Sequence, residues 1–495
     1  MQITKYRLEL IIEIILIFFE EKVYFCSMPR RQQKIFERIK VTDAAAKGKS
    51  IATAPDGKVI FITNAVPGDV VDIQTFKKRK AYYEGKAINF HEYSDKRTDP
   101  KCEYFGTCGG CKWQFMDYPY QLEYKENEVV NNLKRIGHLD IPEVTPILGC
   151  KDNYFYRNKM EFSFSANRWI TDAEVKEGKD IKNRNGLGFH IPGMWDKILD
   201  INKCWLQKEP SNAIRNSIRD FAIENNISFY NPRTKEGLLR TLMIRTSSTN
   251  ELMVVLQFFE NHPEHIKLIL DFLSQRFPEL TSLQYIINSK ANDTIYDQEI
   301  FCFKGRDYIY EEMEGLKFKI NAKSFYQTNS EQAYELYKIV RNFAGLTGKE
   351  LVYDLYTGTG TIAQFISKKA KKVVGIEAVP DAITAAKENA RTNHVDNVDF
   401  FVGDMKNIFN DNFINTHGKP EVLITDPPRD GMHKDVVKQI LNIAPQRVVY
   451  VSCNSATQAR DLALMKEHYH IVKSQAVDMF PQTHHVENVV LLEKI

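Results

Sequence analysis

From Leu351 to the C-terminus the chain alternates short apolar runs with helical ones, and this rhythm constrains the fold more than any other feature. The apolar runs are Leu351–Leu355, Val373–Glu377, Val398–Val402, Val422–Asp426 and Val448–Val451. Segments of helical character separate them, Pro380 to Thr392 among them. Strands that alternate with helices bury their apolar faces best as a parallel, doubly wound sheet. Ligands of such a sheet bind outside the carboxyl ends of its strands. Residues at those ends therefore become the candidates for chemistry.

The first run leads into Asp354-Leu355-Tyr356-Thr357-Gly358-Thr359-Gly360, a glycine-rich turn ahead of a helix. Glycines there let backbone approach a ligand closely. The second run ends in Glu377, at the spacing of about twenty residues from which a carboxylate reaches ribose hydroxyls. Asp404 follows the third run and is expected to face an adenine. NAD competes as the ligand, although Ala363 stands where the dinucleotide pattern has its third glycine. Asp426-Pro427-Pro428-Arg429 after the fourth run favours S-adenosylmethionine. A dehydrogenase has no use for a rigid acidic Pro-Pro loop, whereas enzymes that methylate bases place one at that edge.

Val451-Ser452-Cys453-Asn454 puts a cysteine at the end of the fifth run. Carbon 5 of a pyrimidine is a weak nucleophile towards a sulfonium methyl, and covalent catalysis overcomes this. A thiolate that adds to carbon 6 gives carbon 5 enolate character. A general base then removes the carbon 5 proton. Cys453 fits the first role, with the N-terminus of a following helix expected to favour its thiolate. For the base, Glu487 lies between Val486 and an expected final strand Val489–Glu493, where burial would raise its pKa. His484 and His485 are its rivals.

A chain of 495 residues suits about three domains at roughly 150 residues each. The net charge of +3 is too small to imply nucleic-acid binding, but Lys77-Lys78-Arg79-Lys80 and Lys368-Lys369-Ala370-Lys371-Lys372 are local basic clusters. Residues 35–95 read as a small β domain, with turns at Pro55-Asp56-Gly57 and Pro67-Gly68-Asp69. Residues 96–320 read as α+β, with a helix from Tyr120 to Ile136, paired strands Arg240–Arg245 and Leu252–Gln257, and a helix from Pro263 to Arg276. Eight cysteines are too sparse for a disulfide scaffold, yet Cys102, Cys108 and Cys111 fall within ten positions, which suggests a metal. The apolar stretch Leu8–Phe19 is too short to span a bilayer and lacks export features. Residues 1–27 are expected to be an upstream extension, with Met28 the more natural start.

Together these stretches resemble the RNA 5-methyluridine methyltransferase family. The likeness covers nearly all of residues 35–495. It rests on Cys102-x5-Cys108-Gly109-Gly110-Cys111, Ser324-Phe325-Tyr326-Gln327-Thr328-Asn329, the glycine-rich turn, Asp426-Pro427-Pro428-Arg429-Asp430-Gly431, and Val449 to Thr457 around Cys453. The resemblance implies a multidomain α/β protein. Residues 1–34 would be an N-terminal extension, 35–95 an OB-like β-barrel of the TRAM type, 96–320 a central α+β iron–sulfur domain, and 321–495 a Rossmann-like methyltransferase domain. It implies Cys453 as nucleophile and Glu487 as proton acceptor. Gln327, Tyr356, Glu377 and Asp426 would bind S-adenosylmethionine, with Asp404 near a further contact. Thr361 departs from the asparagine of several relatives, and Thr357 stands where some carry a second cysteine. The cysteine group resembles a 4Fe–4S site whose fourth ligand is Cys204, with Cys150 the rival; four thiolates by count can also hold zinc. The implied partner is RNA, 23S rRNA ahead of tRNA, with a uridine turned out of its stack. A cytoplasmic monomer without membrane contact is expected.

Overall fold

The computed structural model describes residues 34–142, 144–178, 181 and 183–495. The expected extension, residues 1–27, lies outside them. Among the described residues the strands build sheets of six, seven, two and eight strands, and no helix is long and apolar enough to cross a membrane. The chain divides into two compact units, one of residues up to 43 with 49–94, the other of 44–48 with 95–495.

The six-stranded sheet consists of β1 (Ile35–Lys40), β2 (Asp43–Ala45), β3 (Lys49–Thr53), β4 (Val59–Thr63), β5 (Val70–Lys78) and β6 (Tyr82–Glu92). Its order is β1-β5-β6-β4-β3-β2. Period-two alternation drives it: Val71 and Ile73 of β5 point inward with Ile60 and Ile62 of β4, around Phe36 and Tyr83. The Pro67-Gly68-Asp69 turn is held by its aspartate, whose carboxylate accepts from Val66 N at 2.6 Å and Ser94 N at 2.9 Å. Of the first basic cluster, Lys77 pairs with Glu84 at 2.6 Å, whereas Lys78, Arg79 and Lys80 are exposed.

The larger unit opens with α1 (Tyr118–Arg135) and β7 (Val144–Leu148). A seven-stranded sheet follows, from β8 (Lys159–Ser165), α2 (Asp172–Lys176), β9 (Gly186–Ile191), β10 (Met194–Asp200), α3 (Ser211–Glu224), β11 (Leu239–Thr246), β12 (Leu252–Phe258), α4 (Pro263–Arg276), β13 (Ser282–Ile287) and β14 (Phe301–Gly305). β11 and β12 pair, as expected, and do so antiparallel. Every residue of β12 is buried, because the strand is covered on both faces. Val254 and Leu256 face the cluster that holds α3 and α4. Met253 and Val255 face the other way, into a core shared with the strands of the last sheet.

After the hairpin β15 (Tyr308–Met313) and β16 (Leu316–Asn321) come α5 (Ser330–Ala344), β17 (Leu351–Leu355), α6 (Thr361–Ser367), β18 (Lys372–Glu377), α7 (Pro380–Thr392) and β19 (Val398–Val402). The chain continues through α8 (Met405–Ile408), α9 (Asp411–His417), β20 (Val422–Thr425), α10 (Lys434–Ile443), β21 (Arg447–Ser452), α11 (Ser455–Ala463), β22 (Tyr469–Val477) and β23 (Glu487–Lys494). The sheet order is β19-β18-β17-β20-β21-β23-β22-β7. β17 to β21 run parallel, as the apolar runs predict. The chain order reverses between β17 and β20, and it is in the crevice outside the carboxyl ends of such strands that these sheets bind ligands. The sheet as a whole departs from the all-parallel expectation. β23 begins at Glu487, earlier than expected, and lies antiparallel between β21 and β22. An antiparallel neighbour needs no helical crossover, so the last two strands join through residues 478–486 alone.

Candidate active site

The crevice floor is the turn after β17. Tyr356, Gly358 and Gly360 all take the left-handed conformation, at φ of 64, 56 and 76°. A Cβ on Gly360 would stand 2.6 Å from Phe400 Cζ, so glycine is required twice over there. Glu377 ends β18, and its carboxylate accepts from the amides of Gly358 (3.1 Å), Ala378 (2.8 Å) and Val379 (3.1 Å). Asp404 is exposed and caps α8 through Lys406 N at 3.2 Å. Burial pushes the Tyr356 phenol up to about 12, and the charges of Asp461, Asp404 and Glu377 add to this. Tyr356, Glu377 and Asp404 thus lie along the ends of three adjacent strands. Gln327 lies in the segment ahead of α5, where its carbonyl accepts from Asn158 Nδ2 at 2.8 Å.

The other side of the crevice is set by strand register. Ser452 of β21 pairs with Asn488 of β23. Cys453 follows the end of β21 and Glu487 opens β23, so the register places them next to that pair, and the Glu487 charge is felt at the sulfur. Asp426 follows the end of β20, the next strand over. Burial raises the Asp426 carboxyl to about 7. Asp354 behind it also rises to about 7, through burial first, with the Asp426 charge adding to it. Glu487 is 6% exposed. Its pKa is raised well above the carboxylate range by burial and by Asp426, with Arg429 opposing. The Cys453 thiol is pushed up to about 11, by burial and then by the charges of Glu487 and Asp426; Arg429 draws it down by its charge and a hydrogen bond. The expected gain from the α11 N-terminus is therefore outweighed, and the resting sulfur is a neutral thiol. Asn454, the α11 cap, accepts from Ala456 N at 3.2 Å. With Thr457 it also holds the Arg429 carbonyl, each at 3.0 Å, which fixes Arg429 beside the sulfur. His484 and His485, the rival bases, lie with ring centroids 4.2 Å apart. Burial lowers both to about 4, so both are neutral near pH 7.

This geometry has close counterparts. Residues 245–495 match the family model described as tRNA (uracil-5-)-methyltransferase. A Bacteroides thetaiotaomicron protein described as an uncharacterized RNA methyltransferase is 58% identical over 91% of this chain and 99% of its own length. The chain belongs to the tRNA (uracil-5-)-methyltransferase family. The resemblance drawn from the motifs is borne out. A Porphyromonas gingivalis relative with the same description is 52% identical over 92% of this chain and 99% of its own. The crystal structure of a Pyrococcus abyssi tRNA (uracil-54, C5)-methyltransferase with S-adenosyl-L-homocysteine is similar over 92% of this chain and 100% of that one, at 27% identity and a TM-score of 0.71.

In this member of the tRNA (uracil-5-)-methyltransferase family, Cys102, Cys108, Cys111 and Cys204 are all half-buried. Burial raises each thiol, and the charge of Cys204 is felt by the other three. The Cys150 sulfur accepts from Asn329 Nδ2 at 3.3 Å. Among the described residues no group of three or more His, Cys, Asp or Glu side chains is arranged so that it could hold a metal ion.

Three groups of this site have no role in the sequence patterns. Arg429 stands in the Asp-Pro-Pro-Arg motif without one, yet it is the cation beside the thiol. Asp354 stands there only as the start of the glycine-rich turn. Tyr337 of α5 is buried and feels the charges of Asp426, Asp354 and Glu487. Nothing in the local pattern of α5 distinguishes this tyrosine from a core residue.

Proposed function

We propose that this protein methylates carbon 5 of a uridine in RNA with S-adenosylmethionine as donor. Family membership supports the reaction class. The observation that carries the mechanism is the pairing of β21 with β23, which sets a thiol opposite a buried carboxyl at the crevice. In this reading the Cys453 thiol gives up its proton to solvent, and the thiolate, stabilised by Arg429, adds to carbon 6 of the uracil to leave enolate character at carbon 5. The donor supplies the methyl group and a sulfonium charge, which favours the ionised forms of nearby carboxyls. The bond from carbon 5 to the methyl forms as the sulfonium bond breaks. Glu487 accepts the carbon 5 proton, and the carbon 6 to sulfur bond then breaks to free the thiolate, which regains its proton from solvent. The raised pKa of Glu487 makes it a stronger base once ionised. Tyr356, Glu377, Asp404, Asp426 and Gln327 are proposed to hold the donor.

Cys102, Cys108, Cys111 and Cys204 are proposed to hold a 4Fe–4S cluster, with zinc the alternative. The donor type fits, and mutual electrostatic influence supports the grouping. Binding would have to draw the four sulfurs together. The cluster takes part in no step of methyl transfer. The six-stranded unit is proposed as a TRAM-type RNA-binding module. The substrate reading is 23S rRNA on account of the cysteines. The second reading, tRNA, is favoured by the likeness to the Pyrococcus abyssi tRNA enzyme.

Mapping of 5-methyluridine in rRNA and tRNA, with and without the gene, tests the reaction and its substrate. One site should vanish without the gene, return with the wild-type gene, and stay absent with Cys453→Ala. Cys453→Ala should still bind S-adenosylhomocysteine. Retained methylation by Cys453→Ala would refute the covalent route. Anaerobic purification followed by iron, sulfide and zinc analysis distinguishes the two metal readings.

A further inference from the structure

The segment that joins β22 to β23 ends at Glu487, and it is polar yet buried: Asp478 is 0%, Gln482 4% and Thr483 5% exposed. Gln482 takes a left-handed φ of 67°. A side chain with a Cβ pays for that conformation, so it persists only where its surroundings over-determine it. The surroundings here are specific. Gln482 N donates to Gln121 Oε1 at 3.0 Å. Gln482 O accepts from Lys112 N at 2.9 Å and Trp113 N at 3.0 Å. Gln121 Nε2 lies within hydrogen-bond reach of Gln482 Oε1 (3.0 Å), Trp113 O (3.0 Å) and Met116 O (2.8 Å). Gln121 is itself 0% exposed.

The rest of the segment is tied as firmly. Lys125, one turn beyond Gln121 on α1, donates to Asp478 Oδ1 at 2.6 Å and Phe480 O at 3.2 Å. Tyr118 donates to Asp478 Oδ2 at 2.9 Å. Tyr118, Gln121 and Lys125 share one face of α1, where an amphipathic helix would ordinarily carry apolar residues. Beyond Glu487, Asn488 Nδ2 donates to Gln458 Oε1 at 2.8 Å. The backbone that carries Glu487 is thus tied down on both sides, by the segment before it and the strand residue after it. A hairpin connection needs none of this apparatus.

We infer that Gln121 and Gln482 form a clamp that positions Glu487 for removal of the carbon 5 proton. This rests on the proposed role of Glu487 as proton acceptor. Neither glutamine is a catalytic residue; each acts through the backbone that leads to the carboxyl. The same clamp joins the backbone just after Cys111 to the active-site segment, through Lys112 N and Trp113 N. Displacement of a base by about 1 Å can cost about 10²-fold in rate. Loss of the clamp therefore slows proton removal while addition of the thiol to RNA continues.

Gln121→Met, Gln482→Met and Gln482→Gly are assayed beside Glu487→Gln, each with substrate RNA and S-adenosylmethionine. Gln482→Gly removes the side-chain bond while relieving the left-handed φ, so it tests the clamp should the buried methionine variants fail to fold. The readouts are the denaturation-resistant RNA–protein adduct, the rate of its release as 5-methyluridine, and the affinity for S-adenosylhomocysteine. The expected result is adduct accumulation in the clamp variants, release slower by up to about 10²-fold, and unchanged affinity. Adduct from Glu487→Gln but none above wild type from the clamp variants overturns the clamp alone. A parallel fall in adduct formation and S-adenosylhomocysteine affinity also overturns it, because it marks a merely structural role. No adduct from Glu487→Gln overturns the assignment of Glu487, and the clamp with it.

Discussion

Three buried carboxyls and a thiol share the crevice, and burial disfavours charge on all of them. Asp354 and Asp426 rise from 3.8 to about 7. A carboxyl raised above its unfolded value takes up a proton on folding. Its stabilising contribution is complete below about pH 4, the unfolded pKa, and is lost as pH rises through about 7. The ligand-free protein should therefore unfold at a higher temperature at pH 6 than at pH 8. Asp426→Asn should reduce that difference, and calorimetry of both proteins at the two pH values checks it. An unchanged difference would mean that Asp426 ionises normally in the fold. Turnover should run the other way, increasing with pH as Cys453 and Glu487 lose protons.

At the scale of elements, the decisive contact joins α1 to the segment between β22 and β23. The Lys125–Asp478 pair measures 2.6 Å with both side chains 0% exposed. A buried pair is weak evidence for stability, but removal of one partner leaves an uncompensated charge, which costs about 3–5 kcal/mol. Lys125→Met should lower stability by about that much in urea unfolding. The double variant Lys125→Met, Asp478→Leu should recover part of the loss. Equal losses in the single and double variants would show that the pair contributes nothing through charge.

At the scale of the whole molecule, RNA affinity should depend on the exposed cations of the smaller unit. Lys77 is paired with Glu84, which it shares with Lys49, whereas Lys78, Arg79 and Lys80 of that cluster are exposed. If they meet phosphates, changing all three to Ala should reduce the slope of log affinity against log salt by about two to three. Turnover at saturating RNA should stay the same. An unchanged slope in a binding titration would remove this cluster from the interface.

How much of this was legible beforehand follows from the range of each interaction. The runs that became β17 to β21 were readable because strands buried on both faces are nearly continuous apolar stretches. α7 was readable from Pro380, which suits a first helical position. Cys453 was readable because it ends such a strand. The opposition of Cys453 to Glu487 was not, because it depends on an antiparallel register between residues thirty-four positions apart. The neutral state of Cys453 was missed for a related reason: a helix N-terminus is a local feature, whereas burial and two carboxyls contributed by other strands are not. Gln121 and Tyr337 carried no local signal, since each gains its role only from a distant strand or loop. Which residue types line the crevice, and which elements carry them, is written locally, because side-chain identity and short-range periodicity are local. Which groups meet and which keep their protons depends on the folded chain, because register and burial are set by contacts between distant parts of it.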